Sequence, residues 1–138
     1  MSVGEVRVRA RLANAVDEVL VRRGALAPEQ MRTVEVDAVV DTGAVRTVVP
    51  ATVAHDLGLG VRGERVVRYA DGRAENVGVT EPLVVEIEGR DTLDEALVVG
   101  NEVLIGQTVL EKLDLLVDCD GRRVIPNPAH PDGPMTRI

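Results

Sequence analysis

The chain has 138 residues and a mass of 14.8 kDa, and its apolar fraction of 45% is enough to form one core of ordinary size. Sixteen basic against 23 acidic residues give a formal charge of −7, and Tyr69 is the sole aromatic residue, so the charge and the stacking surfaces that favour nucleic-acid binding are lacking. A single cysteine, Cys119, excludes an internal disulfide and a cysteine-based metal site, and we expect no metal and no cofactor.

The N-terminus and the apolar segments bear on the location of the protein. Residues 1–7 alternate apolar and charged side chains and lack the apolar segment of a signal peptide. No apolar run approaches the length that crosses a bilayer. We therefore expect a cytoplasmic protein that does not associate with membranes.

Strand patterns dominate the chain. More than a quarter of the residues are valine, isoleucine or threonine, whose branched side chains pack well on pleated sheets. Alternation and turn residues predict strands, in chain order, at 5–12, 34–40, 61–69, 75–79, 83–88, 93–99 and 115–117. Residues 18–22 are predicted to extend the first strand pair as a hairpin. Short helices are predicted at 51–57, after Pro50, and at 106–113, so the pattern indicates a β-barrel or sandwich with two short helices.

The predicted elements divide the single domain, 1–138, into three parts. Residues 1–32 form N-terminal strands and a loop, and residues 33–125 form the core. Residues 126–138 contain four prolines and are expected to be extended and irregular. Within the core, the charged run at 81–94 is interpreted as the solvated face of a strand pair.

Asp71-Gly72 separates the strands at 61–69 and 75–79. Asp-Gly is a strong signal for a tight hairpin, because both central residues of a type I′ turn need positive φ. We therefore predict a β-hairpin with a type I′ turn at these two residues.

Residues 37–44 contain the most informative pattern, because a carboxylate directly follows an apolar strand. Asp41 comes after Val39 and Val40 and precedes a hydroxyl residue and a glycine. This position predicts a half-buried Asp41 whose protonation responds to burial and to backbone donors in the following turn. The alternative interpretation is a turn residue whose side chain caps its own loop.

The Val-Val-Asp-Thr-Gly-Ala sequence at 39–44 resembles the active-site motif of the retropepsin-like aspartic proteases. A second match is the apolar-apolar-glycine segment formed by Leu104, Ile105 and Gly106. In that family this segment crosses behind the catalytic loop, supports it and leads into a short helix. The resemblance implies an all-β fold, namely a closed β-barrel of the acid protease type with two short helices, in a single-lobe member of the bacterial type.

The resemblance also implies a chemistry. It predicts an aspartic endopeptidase that hydrolyses extended polypeptides with a water activated between two carboxylates, without cofactor or metal. The chain holds one Asp-Thr-Gly, so the second Asp41 has to come from a second copy, in a homodimer. Gly43 would permit close approach of the backbone, and Thr42 would hydrogen-bond across the symmetry axis. The alternative for Thr42 is a plain turn hydroxyl.

The hairpin at 69–73 occupies the place of the family's flap, which closes over the substrate. The residues expected to contact substrate are Ala44, Tyr69, Ala70, Asp71 and Gly72. The Tyr69 ring either packs over the site or lies on the hairpin surface as an amphipathic side chain. Charged residues at the tip distinguish this hairpin from the glycine-rich, apolar flap of retroviral enzymes.

Two departures from the family motivate a rival hypothesis. Gln107 and Thr108 follow Gly106, where retroviral enzymes have Arg and then Asn or Asp, which hold their dimer together. The prolines of the tail cannot donate to a sheet, so the tail is expected either to fold over the cleft or to dock on a partner. The rival is a non-catalytic module of retropepsin fold for dimerisation or peptide binding. His55 and His130 are interpreted as solvated residues rather than ligands.

Overall fold

A computed structural model describes residues 5–138, and residues 1–4, part of the N-terminal stretch predicted not to be a signal peptide, lie outside it. The helices are α1 (Ala15–Arg22), α2 (Ala51–Asp56) and α3 (Gln107–Leu113), with a 3₁₀ turn at Pro28–Gln30. The strands are β1 (Val6–Asn14), β2 (Thr33–Val40), β3 (Val48–Val49), β4 (Val61–Arg68), β5 (Ala74–Thr80), β6 (Leu83–Ile87), β7 (Arg90–Asp94), β8 (Leu97–Val98), β9 (Leu104–Ile105), β10 (Leu115–Asp118) and β11 (Arg123–Pro126).

Nine strands form one strongly curled sheet in the order β4-β5-β8-β3-β9-β2-β1-β6-β7, and β10 pairs with β11 separately. The predicted mostly-β fold is confirmed. The predicted closed barrel is not confirmed, because among the described strands β4 and β7 lie at opposite edges of the sheet and do not pair with each other. The sheet is a half-barrel.

The core fills the space between the curled sheet and helices α2 and α3. Each helix contributes apolar side chains from one face to the core. Strands β1, β6 and β9 contribute the apolar side chains of their inward faces. The largest fully buried apolar side chains are those of Leu12, Val49, Leu57, Leu83, Val85, Ile87, Ile105, Val109, Leu110 and Leu113. Helix α3 packs against β7 and β10.

Residues 18–22 were predicted to extend a hairpin, but they belong to helix α1. The described residues therefore contain three α-helices and not the two that were predicted. The Asn14 side chain accepts a hydrogen bond from the Asp17 amide, 3.0 Å away, and so caps the first turn of α1. Acidic Asp17 and Glu18 lie in that first turn, and Arg22 in the last turn pairs with Glu18 at 2.9 Å. This cap and these charges outweigh the weak strand preference of the branched valines.

The turns also differ from the prediction. Glu88 and Gly89 have φ of 53° and 73° and join β6 to β7, so the pair of positive φ angles typical of a type I′ turn occurs here. In the hairpin of β4 and β5, only Gly72 has positive φ, 89°, and its amide donates to the Tyr69 carbonyl. The Tyr69 amide donates to the Arg73 carbonyl at 2.8 Å, so this pair closes a three-residue loop, 70–72, and no type I′ turn is formed. The strand predicted at 93–99 is two strands, β7 and β8.

Arg90 interrupts the solvated face predicted at 81–94, because it is buried. Its guanidinium donates to the carbonyls of Leu113, Asp114 and His130 at 3.1, 2.9 and 2.5 Å. Three carbonyls thus satisfy the buried charge, and two of them, those of Leu113 and Asp114, lie at the C-terminal end of α3.

The tail docks on its own chain. Asp114, which has φ of 55°, accepts hydrogen bonds from the Asn127 side chain at 3.0 Å and from the Met135 amide at 3.2 Å. His130 Nδ1 lies 2.5 Å from the same carboxylate. His130 is therefore partly buried and not solvated, and the tail does not line the cleft, whereas His55 is exposed as predicted. Docking of the tail on a partner stays a prediction.

None of the helices found in residues 5–138 has the length and apolar character needed to cross a membrane.

Candidate active site

The Asp-Thr-Gly loop is held at the end of β2 by the parallel strand β9. Val39 pairs with Leu104 and Val40 with Ile105, and the Asp41 amide donates to the Ile105 carbonyl at 2.9 Å. The chain then turns at once, because the Ala44 amide donates to the Asp41 carbonyl at 3.0 Å. The backbone of Asp41 is thus fixed on both sides.

Gly106 supports this loop from behind. A Cβ atom at Gly106 would lie 2.7 Å from the Ala44 carbonyl oxygen and 2.9 Å from that of Arg46. The next amide, that of Gln107, donates to the Ala44 carbonyl at 2.8 Å, and the Thr108 amide donates to the Val45 carbonyl at 3.3 Å. The first turn of α3 therefore binds the carbonyls of the loop, and only glycine fits between them.

The Asp41 side chain is exposed, which corrects the prediction of a half-buried carboxylate. The two valines before it are only half-buried. Oδ1 accepts a hydrogen bond from the Gly43 amide at 3.0 Å, so the carboxylate caps its own loop, as the alternative interpretation predicted. A Cβ at Gly43 would lie 3.2 Å from this oxygen, so the glycine leaves room for the carboxylate.

Oδ2 of Asp41 is the oxygen left available. Among residues 5–138 it accepts no hydrogen bond, and the exposed Thr42 hydroxyl makes none either. One oxygen of the carboxylate is thus oriented by the loop, while the other oxygen and the neighbouring hydroxyl face solvent. This arrangement leaves both groups free to bind water, substrate or a second protein chain.

The hairpin of β4 and β5 carries a linked set of side chains near its tip. The Tyr69 hydroxyl donates to the Glu75 carboxylate, which raises the pKa of that hydroxyl above its ordinary value. The Arg73 guanidinium lies 4.7 Å from the centre of the Tyr69 ring and pairs with Asp71 at 2.8 Å. The backbone amide and side chain of Arg73 lower the pKa of the Asp71 carboxyl. These contacts stiffen the tip.

A cavity of about 1060 Å³ lies between this hairpin and the Asp41 loop. Of the residues predicted from sequence, it brings together Asp41, Gly43, Ala44, Tyr69, Ala70 and Leu104. Thr42, Asp71, Gly72, Ile105 and Gly106 do not line it. Tyr69 combines the two interpretations, since its half-buried ring lines the cavity while its hydroxyl binds a neighbour on the hairpin.

Sequence patterns missed most of the cationic lining. Arginines 46, 65, 68 and 73 all border the cavity, as do apolar residues of β3 and β8. Their alternation with apolar residues was visible in the sequence, but the pairing of β4 with β5 decides which of them face inward. Among residues 5–138, no group of three or more His, Cys, Asp or Glu side chains is placed to hold a metal ion.

Comparison with known proteins agrees with this geometry. Residues 28–112, more than half of the chain, match a family model described as gag-polyprotein putative aspartyl protease. The chain belongs to the retropepsin-like aspartic protease family. The match includes both the Asp-Thr-Gly loop and the segment behind it.

Two solved structures resemble this retropepsin-like chain. The retroviral protease-like domain of Ddi1 from Leishmania major is 17% identical, with a TM-score of 0.55, and the alignment covers 92% of this chain and 91% of that one. The simian foamy virus protease is also 17% identical, with a TM-score of 0.48 and coverage of 75% and 90%. The first likeness shows that the retropepsin-like fold extends over nearly the whole chain. No curated protein gives a significant match.

Proposed function

We propose that the protein is an aspartic endopeptidase that works as a homodimer on extended polypeptides. The observation that carries the proposal is the Asp41 carboxylate, exposed at the mouth of the cavity on a loop fixed by β9 and α3. Members of this family need two such carboxylates, and one chain supplies one. Asp41 meeting its own copy on a twofold axis completes the site.

The chemistry follows from the proximity of two like charges. Two carboxylates at about 3 Å cannot both ionise, which is the established behaviour of aspartic proteases, so the pair shares one proton. The ionised carboxylate takes a proton from the water held between them, and the protonated one donates to the carbonyl oxygen of the peptide. The C–N bond of the tetrahedral intermediate then breaks as the amine nitrogen takes a proton from the dyad and a hydroxyl of the intermediate returns a proton to it, so the dyad is restored and no acyl-enzyme forms.

The neighbouring residues have supporting roles in this proposal. The Gly43 amide orients Asp41, and the free Thr42 hydroxyl bonds across the axis to hold the two loops together. Leu104, Ile105 and Gly106 keep the loop in place. Tyr69, Ala70, Asp71 and Gly72 belong to the hairpin that closes over the peptide, whose backbone adds to the hairpin edge as a strand does, and Ala44 contacts the peptide from below.

Asp41→Asn tests the proposal directly. The variant retains an oxygen that accepts from Gly43, so it stays folded, but it lacks the ionisable pair, and we expect peptide hydrolysis to fall by about 10²-fold or more. Asp37→Asn is the matched control, because Asp37 lies on the same strand, pairs with Arg7 at 3.2 Å and is outside the cavity. It should keep wild-type activity. Equal hydrolysis by wild type and Asp41→Asn would refute the proposal.

Mixing the two chains tests the shared site. If chains exchange freely, equal amounts of wild type and Asp41→Asn give about one quarter of the dimers two Asp41 carboxylates, so activity falls to about a quarter of that of all wild-type chains. Chains that act independently retain about half. The measurement is the initial rate of peptide cleavage at constant total protein concentration.

The non-catalytic module remains the second candidate, favoured by the stiff, charged hairpin tip and by Gln107 in place of an arginine. It predicts peptide binding or dimerisation without hydrolysis from about pH 3 to 8, and no affinity for a statine, which mimics the tetrahedral intermediate. Statine binding by wild type and not by Asp41→Asn decides for the protease.

A further inference from the structure

The hairpin of β4 and β5 differs in charge from the rest of the chain. Residues 61–80 contain four arginines and three carboxylates, whereas the whole chain has 16 basic and 23 acidic residues. The cavity lies directly beneath this hairpin. A ligand in the cavity therefore meets a positively charged wall on a negatively charged protein.

The pairing of β4 with β5 sets which arginine faces inward. Arg65 lies opposite Val77, which is buried, and Val67 on the same face is half-buried. Val66, on the other face, is 62% exposed. Because side chains alternate along a strand, Arg65 lies on the face of the buried Val77, whereas Arg68, which also borders the cavity, lies on the other face.

Most charged groups around the cavity are already paired. Glu75 accepts the Tyr69 hydroxyl, Glu102 pairs with Arg7 at 2.5 Å, and Arg73 pairs with Asp71 at the tip. Arginine 46 has Glu95 at 3.9 Å.

Two arginines of the lining, Arg65 and Arg68, form none of the salt bridges found in residues 5–138. Of these two, Arg65 lies on the face of β4 that carries the buried Val77 of the paired strand. A planar guanidinium with five donors, placed over a substrate cleft without a carboxylate partner, is suited to bind a carboxylate of the ligand in a bidentate manner.

We propose that Arg65 is a specificity residue that selects peptides with an aspartate or glutamate side chain near the scissile bond. The proposal rests on the proposed function and adds its substrate class. The net negative charge of the chain does not prevent this contact, because charges farther away than about 8 Å are screened at physiological salt, whereas a direct ion pair is not.

The test uses a randomised library of extended peptides in two assays. In the first, mass spectrometry identifies the peptides that wild type cleaves. In the second, it identifies the peptides that immobilised Asp41→Asn protein captures. We expect Asp and Glu to be enriched at one position by about two- to fivefold, the value of a partly exposed ion pair. Arg65→Glu should reverse the preference toward Lys and Arg at that position. Arg62→Glu is the matched control, since Arg62 lies on the same strand, pairs with Glu95 at 2.9 Å and is outside the cavity lining.

The outcomes separate this inference from the proposed function. Cleavage by wild type without an acidic preference, or the same preference in Arg65→Glu, overturns the role of Arg65 and leaves the protease in place. Capture of acidic peptides by Asp41→Asn that Arg65→Glu reverses supports the role of Arg65 even if wild type cleaves nothing, in which case the protease is overturned. A preference that reverses equally in Arg62→Glu assigns the effect to net charge and rejects Arg65 as the selecting residue.

Discussion

Gly106 shows how a single residue decides the position of the Asp41 loop. Its φ of −91° is accessible to alanine, so the constraint is the space behind the loop and not the backbone conformation. Gly106→Ala puts a methyl group 2.7 Å from the Ala44 carbonyl oxygen, and because that neighbour is backbone it cannot turn away. We expect a loss of about 1–3 kcal/mol in the free energy of unfolding, measured by urea titration, together with loss of peptide cleavage.

Gly63→Ala is the matched control for this substitution. Gly63 has ordinary φ, and no atom lies within 4 Å of the position its Cβ would take. Its free energy of unfolding should therefore stay close to that of wild type. A Gly106→Ala protein as stable and as active as Gly63→Ala would contradict the role assigned to this glycine.

At the scale of elements, α1 depends on a buried carboxylate. Asp17, 4% exposed, accepts two hydrogen bonds from the Arg32 guanidinium at 2.9 Å and one from the Arg32 amide at 3.0 Å. The Arg32 side chain holds the pKa of the Asp17 carboxyl below its ordinary value. This contribution to stability is thus present above the unfolded-state pKa of about 3.9 and is lost as the pH falls through the folded-state value.

Asp17→Asn should therefore lower stability most at neutral pH. The comparison is made in a chain that carries Asp41→Asn, which prevents self-cleavage in acid. We expect the loss in free energy of unfolding on adding Asp17→Asn to that chain to be largest at about pH 6–7 and to shrink as the pH falls below about 4. The measurement is urea unfolding followed by circular dichroism, and a difference that does not change with pH would contradict the assignment.

Helix α1 was not predicted from the sequence, because its pattern of branched residues is typical of a strand. Valines at 16, 19 and 21 favour a strand by their branched side chains, and alternation alone gave the hairpin prediction. Asn14 followed by Asp17 and Glu18 was the available helix signal, although the burial of Asp17 against Arg32 depends on the tertiary fold. Helices α2 and α3 were predictable because proline or glycine marks their ends.

Some features of the candidate site could be predicted from the sequence and others could not. The Asp41 loop and the segment at 104–106 were predictable because each is a short local pattern and a parallel pairing joins them. The inward direction of Arg65 was not, because the register of β4 shifts between Val61 and Gly63 and only the paired strand reveals it. The docking of His130 on Asp114 depends on contacts between distant parts of the chain and on a positive φ at a non-glycine residue.

For the whole molecule, the proposed sharing of one site between two chains predicts that activity depends on protein concentration. We expect activity per chain to fall on dilution below the dissociation constant of the dimer, because a separated chain keeps its fold and loses the second carboxylate. Sedimentation velocity across the same dilution series should show the dimer fraction falling in parallel. Activity per chain that stays constant while the dimer dissociates would contradict the shared site.

The open sheet also bears on the aggregation of the protein. Its two free borders, β4 and β7, offer unpaired backbone groups to which strands of other molecules can add, the first step toward fibrils. Half of the residues of β4 and three of the five in β7 are charged. Pairing β4 with the β4 of another molecule would bring arginines together, and pairing at either border would remove charged side chains from water, so the charges on these strands oppose aggregation.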